Sequence, residues 1–195
     1  MKGTTVLEAI TQAEFFILDF IQQIKNPFWD SVFLFFTRLG NGAFIWILVA
    51  IIMLFLKKYR KTGILIMVSI AVVSVVFTLI VKNLVARERP YTVLGVPLLF
   101  DAYLAGIPES DTFSFPSGHS VCSFVGATCI FLRHKYIGII SYVLAFLISF
   151  SRLYMYVHFP SDVLFGAVFG ILSALVVNWC ESKLSARIRK RNSKN

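Results

Sequence analysis

Charge is scarce in this chain: 15% of its 195 residues are Asp, Glu, Lys or Arg, against roughly 25% in soluble globular domains. With 57% hydrophobic residues and a mean hydropathy of +0.78, there is too little polar surface to cover a soluble fold, so lipid must be part of the solvent. Cysteine is scarce too. Cys122, Cys129 and Cys180 are odd in number, lack metal-ligand spacing and all lie in apolar runs. They exclude a disulfide framework and a thiolate metal site, and read as small apolar packing residues. Internal repeats are missing, and the only biased stretch is the basic C-terminal tail. A cleavable signal peptide is not expected, because Glu8, Glu14 and Asp19 interrupt the N-terminal apolar pattern.

Long uncharged runs are what the chain has instead. Lys61 and Lys82 enclose 20 residues without a charge, Leu39–Leu56 and Val163–Cys180 have 18 each, and Ser117–Leu132 and Tyr136–Ser151 have 16 each. A spanning helix needs about 20 mostly apolar residues; the flanks of the two shortest runs can extend them. The expected fold is all-α: a polytopic membrane helical bundle of five or six transmembrane helices with an N-terminal amphipathic segment. It forms a single domain over residues 1–195, with an amphipathic or interfacial region at 1–38, the bundle at 39–182 and a basic tail at 183–195. Expected helices cover 4–24, 27–38, 43–56, 62–85, 116–132, 136–153 and 160–182, with a long loop over 90–115. Pro27 suits a first helical turn, and Gly40-Asn41-Gly42 interrupts before the first run. Whether residues 4–38 cross the membrane is left open at this level.

The formal net charge is +9. Such a value can signal nucleic acid, but its distribution excludes that partner. Lys57, Lys58, Arg60 and Lys61 form one cluster, Arg133 and Lys135 a second, and Lys183, Arg187, Arg189, Lys190, Arg191 and Lys194 a third. Together these are 12 of the 19 basic residues, all in alternate connections. The positive-inside rule places them in the cytoplasm, where the tail can also meet anionic lipid. Alternation then puts the three remaining polar motifs on the outer face of the cell membrane. The loop between them carries Asp101, Glu109 and Asp111 and no Lys or Arg; a loop this long is usually functional.

The first motif is Lys82-x6-Arg89-Pro90. Its two cations are about two helical turns apart, and Pro90 disfavours helix at Arg89, so the helix is expected to end there. Positive residues are disfavoured on the outer side, which argues for a role beyond snorkelling. Arg87 lies outside this spacing and reads as a snorkelling side chain facing headgroups. The second motif is Pro116-Ser117-Gly118-His119. Pro116 fits a helix start, Gly118 lets a group approach the backbone, and the first-turn amides and the Ser117 hydroxyl make an anion pocket with His119 at its edge. The third is Ser151-Arg152-x5-His158-x3-Asp162. Asp162 can cap free amides of the following helix, or accept the Nδ1 proton of His158 and leave Nε2 free to attack, as the Asp of a Ser-His-Asp triad does. His134 falls with a cytoplasmic basic cluster. Metal competes as an explanation, since His119, His158 and Asp162 can ligate an ion; three converging cations would repel it, so no metal and no cofactor is expected.

These three motifs resemble, in order and residue for residue, the signatures of the type-2 phosphatidic acid phosphatase family, within the lipid phosphate phosphatase and vanadium haloperoxidase superfamily. The resemblance covers about residues 38–182. It implies that Lys82, Arg89 and Arg152 bind phosphate oxygens, with Ser117 and Gly118 contributing donors. His158 would form a phosphohistidine, Asp162 would orient it, and His119 would protonate the leaving oxygen and then activate water, without metal. Tyr156 stands where many members have Gly; a phenol there is expected to narrow the pocket or to hydrogen-bond a phosphate.

The expected activity is hydrolysis of lipid phosphate monoesters or diphosphates at the outer face. Candidate substrates are undecaprenyl diphosphate, phosphatidylglycerophosphate and phosphatidic acid; the first is favoured because a spent carrier lipid needs dephosphorylation there. Its partners are the bilayer and the lipid substrate. The sequence carries no signal of oligomeric state. Three rivals share the residues: a lipid phosphotransferase, a haloperoxidase, and a lipid-binding scaffold with a relic site.

Overall fold

Apolar runs without β-directing punctuation fold as helices, and in the computed structural model every regular element among the described residues, 6–95 and 113–192, is helical. The elements are α1 (Val6–Gln22), α2 (Pro27–Gly40), a 3₁₀ turn (Asn41–Ala43), α3 (Phe44–Phe55), α4 (Arg60–Val75), a π-helical turn (Val76–Val81), α5 (Lys82–Val85), α6 (Pro90–Leu94), α7 (Gly118–Phe131), α8 (Lys135–Tyr154) and α9 (Pro160–Asn192). Most of the long loop, with Asp101, Glu109 and Asp111, lies outside the described residues.

Helix α7 is the axis of the molecule. It packs chiefly on α8 and α9, and also on α4, α2 and α3. Nearly every residue from Ser120 to Ile130 is buried. Such centrality needs small contacts: a Cβ on Gly170 would sit 2.4 Å from the Val121 carbonyl oxygen, and one on Gly166 would sit 2.9 Å from that of Ser117. The main cluster joins Trp46, Ile66, Val73, Val121, Val125, Ile148 and Ala174. The Trp46 indole, buried in it, donates to Ser123 Oγ at 2.9 Å, which removes the penalty of a dry N–H.

Outward faces are apolar: Phe55, Ile140, Leu164 and Trp179 are all exposed. Among the described residues, three stretches are long and apolar enough to cross a membrane, Pro27–Phe55, Lys135–Tyr154 and Pro160–Asn192, and α7 is a shorter apolar helix. This is a membrane protein. The first stretch differs from the expectation of a run starting near residue 39. Asn26 caps the Phe28 and Trp29 amides at 3.0 and 3.1 Å, and α2 continues through a bend into α3. The bend lies where Gly42 and Ala43 take left-handed conformations, φ 55° and 59°. The last helix also outruns its expected end at residue 182, staying helical to Asn192.

Helix α1 turns a polar residue inward along with its apolar ones. Its polar Glu14 is buried beside Leu18 and Ile21, while Phe16 and Phe20 face outward. Asp19 accepts from the Tyr156 hydroxyl at 2.8 Å, and Gln22 donates to the Tyr154 carbonyl at 2.9 Å. At the far end of α7, Glu181 of α9 meets Arg133 at 3.0 Å and Lys61 at 3.9 Å. Two of the basic clusters therefore sit together, away from His119 at the start of α7, a helix of about 21 Å over 14 residues.

Candidate active site

Three chain segments meet at the start of α7. Ser117 is the N-cap of the helix, extended at φ −67° and ψ 111°, and its hydroxyl makes no capping bond. That hydroxyl is buried without a hydrogen-bond partner among the described residues. The Ser117 amide donates instead to the Asp162 carbonyl at 3.1 Å, which ties α7 to α9. At Gly118 a Cβ would meet nothing within 4 Å, so the first turn opens onto space where its unpaired amides can receive an anion. The next residue is His119, whose Nε2 lies 2.9 Å from Asn41 Oδ1.

His158 stands in the turn between α8 and α9, almost wholly buried. Arg89 Nη1 lies 3.3 Å from its Nε2. A guanidinium only donates, so Nε2 carries the lone pair and the proton sits on Nδ1. Nδ1 faces Asp162 Oδ2 at 3.7 Å, an ion-pair distance longer than a hydrogen bond. Direct acceptance of the Nδ1 proton by Asp162, expected from spacing, is therefore corrected to a close approach. The carboxylate is held by two other groups: Oδ2 accepts from the Phe159 amide at 2.8 Å, and Oδ1 accepts from Arg87 at 2.7 Å. Asp162 thus caps the start of α9 through the Phe159 amide while its carboxylate stands beside His158. Burial first, then the charges of Arg89, Arg152 and Lys82, hold the His158 imidazole well below the ordinary histidine range.

Those cations are the ones the motifs single out. Arg89 is extended before Pro90 at φ −82° and ψ 153°, as the residue before a proline should be; it is buried and donates to the Val157 carbonyl at 3.0 Å. Arg152, at the end of α8, is equally buried and donates to the Thr37 hydroxyl. Arg152, Arg89 and His158 are also electrostatic neighbours of His119. Lys82, Arg89, Arg152, His119, His158 and the α7 start with Ser117 and Gly118 therefore converge. The helix carrying Lys82 ends at Val85, the bound expected for its run, and does not reach Arg89: Ala86 turns left-handed at φ 47°, and the chain leaves the helix three residues before Arg89.

That exit redirects Arg87. It was expected to face headgroups. Instead Nη1 donates to Asp162 Oδ1 and Ser161 Oγ, each at 2.7 Å, and Nη2 donates to Glu14. Its guanidinium also stacks on Phe159, 3.9 Å from the ring centroid. Tyr156 departs from expectation as well. It adopts φ 61°, a conformation glycine takes without strain, and its hydroxyl donates to Asp19 of α1, so that proton is not offered to a phosphate. Asn41 and Thr37 escaped sequence reading altogether; the only signal was the Gly40-Asn41-Gly42 interruption. Among the described residues, no three His, Cys, Asp or Glu side chains are grouped to hold a metal ion.

Gly40 shows how tightly His119 is seated. A Cβ there would lie 2.6 Å from both His119 Cδ2 and Ile148 Cγ2. Gly40→Ala is expected to displace the imidazole and break its contact with Asn41, lowering turnover about 100-fold with little change in KM, since a displacement of about 1 Å can cost that much. Steady-state kinetics on the detergent-solubilised variant measure it.

An imidazole whose Nε2 lone pair faces a cationic cluster, a carboxylate behind it, a second imidazole and three surrounding cations can bind an oxyanion and attack it. The family model described as the PAP2 superfamily matches residues 62–186. An undecaprenyl-diphosphatase from Sulfolobus acidocaldarius is 30% identical over 72% of this chain and 65% of its own length, so the match spans somewhat under two thirds of that relative. Phosphatidylglycerophosphatase B from Bacillus subtilis is 30% identical over 86% of this chain and 82% of its own. Among solved structures, a transmembrane PAP2-type phosphatidylglycerolphosphate phosphatase from Bacillus subtilis superposes with a TM-score of 0.71 and 26% identity, covering 90% of this chain and 87% of the other.

Proposed function

The chain belongs to the PAP2 superfamily, and on that premise we propose that it is a metal-independent membrane phosphatase hydrolysing lipid phosphate monoesters or diphosphates. The observation that carries this reading is the His158 tautomer. With Arg89 donating toward Nε2, the lone pair points among the cations, where a phosphoryl group would bind. In the first step Nε2 bonds to phosphorus, the bond from phosphorus to the leaving oxygen breaks, and His119 gives that oxygen a proton. In the second, water attacks the phosphohistidine, His119 takes the water's proton, and the N–P bond breaks to release phosphate. Lys82, Arg89 and Arg152, with the α7 amides and Ser117, neutralise the charge that gathers on the equatorial oxygens, the main burden in phosphoryl transfer. Asp162 favours the imidazolium-like character of His158 as the bond forms.

The site is read as facing outward. The basic clusters gather at the opposite end of α7 from His119, and positive residues mark the cytoplasmic side. The crossings are read as five: α2 with α3, α4 with α5, α7, α8 and α9. Helix α1 is read as interfacial, because Glu14, Asp19 and Gln22 all engage residues 154–161 of one turn, so the helix lies across that turn instead of along the bundle. Undecaprenyl diphosphate is the favoured substrate, since a carrier lipid is spent on the outer face and one relative is named for acting on it.

A phosphate-release panel over undecaprenyl diphosphate, phosphatidylglycerophosphate and phosphatidic acid in detergent, with and without chelator, tests this. Release undiminished by chelator and fastest on the diphosphate is expected; a strict metal requirement contradicts the mechanism. The pH profile is a second check. A nucleophile whose pKa is lowered stays a free base to more acidic pH, so kcat/KM, corrected for substrate ionisation, should hold from neutrality downward and fall only below about pH 6.5, the ordinary histidine value. An acid limb centred above 7 contradicts the assignment of His158.

A further inference from the structure

We infer that Glu14, on the N-terminal helix, is a positioning residue for this reaction, acting through Arg87 and Ser161 on Asp162 and so on His158. The inference rests on the phosphatase reading above.

Glu14 is buried, at 5% exposure, on a helix whose Phe16 and Phe20 point outward. A buried carboxylate on a lipid-facing helix is costly unless paired. Its partners all lie at the candidate site. Oε1 accepts from the Ser161 amide at 3.0 Å and from the Ser161 hydroxyl. Oε2 accepts from Arg87 Nη2. The same guanidinium reaches Asp162 Oδ1 with its other terminal nitrogen. One planar cation thus bridges two carboxylates, and Ser161 closes the ring by donating to Glu14 and accepting from Arg87. Asp162 is wholly buried, and its second oxygen is the one that faces His158.

The consequence is directional. A guanidinium is a rigid fork, so fixing one tine on Glu14 fixes the angle at which the other meets Asp162. Without Glu14, Arg87 can swing toward Asp162 alone or toward solvent, and the carboxylate loses its defined distance from Nδ1. Glu14 is remote from Lys82, Arg89 and Arg152 in every contact described, so phosphate binding should not depend on it.

The test compares wild type, Glu14→Gln, Arg87→Lys and the double variant, as full-length detergent-solubilised protein assayed for phosphate release. Glu14→Gln is expected to lower kcat about tenfold with KM within twofold. Arg87→Lys keeps the charge but cannot bridge, and should behave alike. The double variant should be no worse than about twofold below the weaker single, because both act through one link. Orthovanadate, which becomes five-coordinate when a nucleophile adds to it, should inhibit Glu14→Gln about tenfold less well, while inorganic phosphate inhibits it as it does wild type, since only the transition-state-like species needs a placed nucleophile.

Wild-type kcat in Glu14→Gln, a loss confined to KM, multiplicative losses in the double variant, or equal weakening of vanadate and phosphate each overturns the inference. If Glu14→Gln fails to remain monodisperse, Ser161→Ala, which removes only the hydroxyl bonded to Glu14, should still lose about threefold in kcat alone; unchanged kcat there assigns Glu14 to stability and overturns it too. A wild type without phosphatase activity, or a fully active His158→Ala, instead removes the phosphatase reading and this inference with it.

Discussion

His158→Ala is expected to lower phosphate release on the order of 10⁴-fold, the scale of loss when an enzyme's nucleophile is removed. The effect should fall on kcat, because Lys82, Arg89, Arg152 and the start of α7 remain to bind the phosphate. A second signature accompanies it. Wild-type protein quenched during turnover of a substrate labelled in its phosphate should carry an acid-labile, base-stable label, and the variant none. His119→Ala should differ: it retains the nucleophile, so with a good leaving group, which needs no proton, the label should form and then persist. Full turnover without His158 would exclude the covalent route and leave the anion pocket without its proposed chemistry.

Arg87→Met is expected to destabilise the protein by about 3 kcal/mol, the scale for leaving a buried charge without its partner, and to cost about 100-fold in kcat. The substitution keeps the apolar stem and removes the guanidinium, so the loss is one of charge, hydrogen bonds and stacking on Phe159. Glu14 and Asp162 would both stay buried with their shared cation gone. Had Arg87 pointed into headgroups, its removal would fall within about 0.5 kcal/mol, as surface substitutions do. Thermal unfolding in detergent, set beside kinetics at a temperature where the variant is folded, separates the two cases. A wild-type melting temperature would mean that the bridge contributes nothing.

The contrast between Arg87 and Arg89 shows where sequence reading reaches. Both lie in one short segment. Arg89 was legible because Pro90 restricts it and because its spacing from Lys82 forms a motif. Arg87 was not, since its partners Glu14 and Asp162 are 73 and 75 residues away. Only the left-handed turn at Ala86 brings it to face them. Asn41 is similar: it meets His119 across 78 residues of chain, and nothing local marks an asparagine at a helix bend as a partner for a distant imidazole. The buried Glu14 of helix α1 was not legible for a related reason. Sequence tells that one face carries polar residues, but not whether water or Arg87, Ser161 and Tyr156 receive them.

By itself the sequence determined the helical class, the membrane as solvent and the residues of the three motifs. Each follows from local quantities: charge density, the length of uncharged runs and the chemistry of short spacings. Tertiary structure alone decided what those residues do to one another. It set Asp162 at 3.7 Å from His158 Nδ1 instead of in hydrogen-bond contact, engaged the Tyr156 hydroxyl with Asp19 and brought Glu14 and Arg87 to Ser161 and Asp162. Distances between side chains far apart in the chain depend on how helices pack, and packing here depends on close approaches such as that of α9 to α7 at Gly170, which no window of sequence contains.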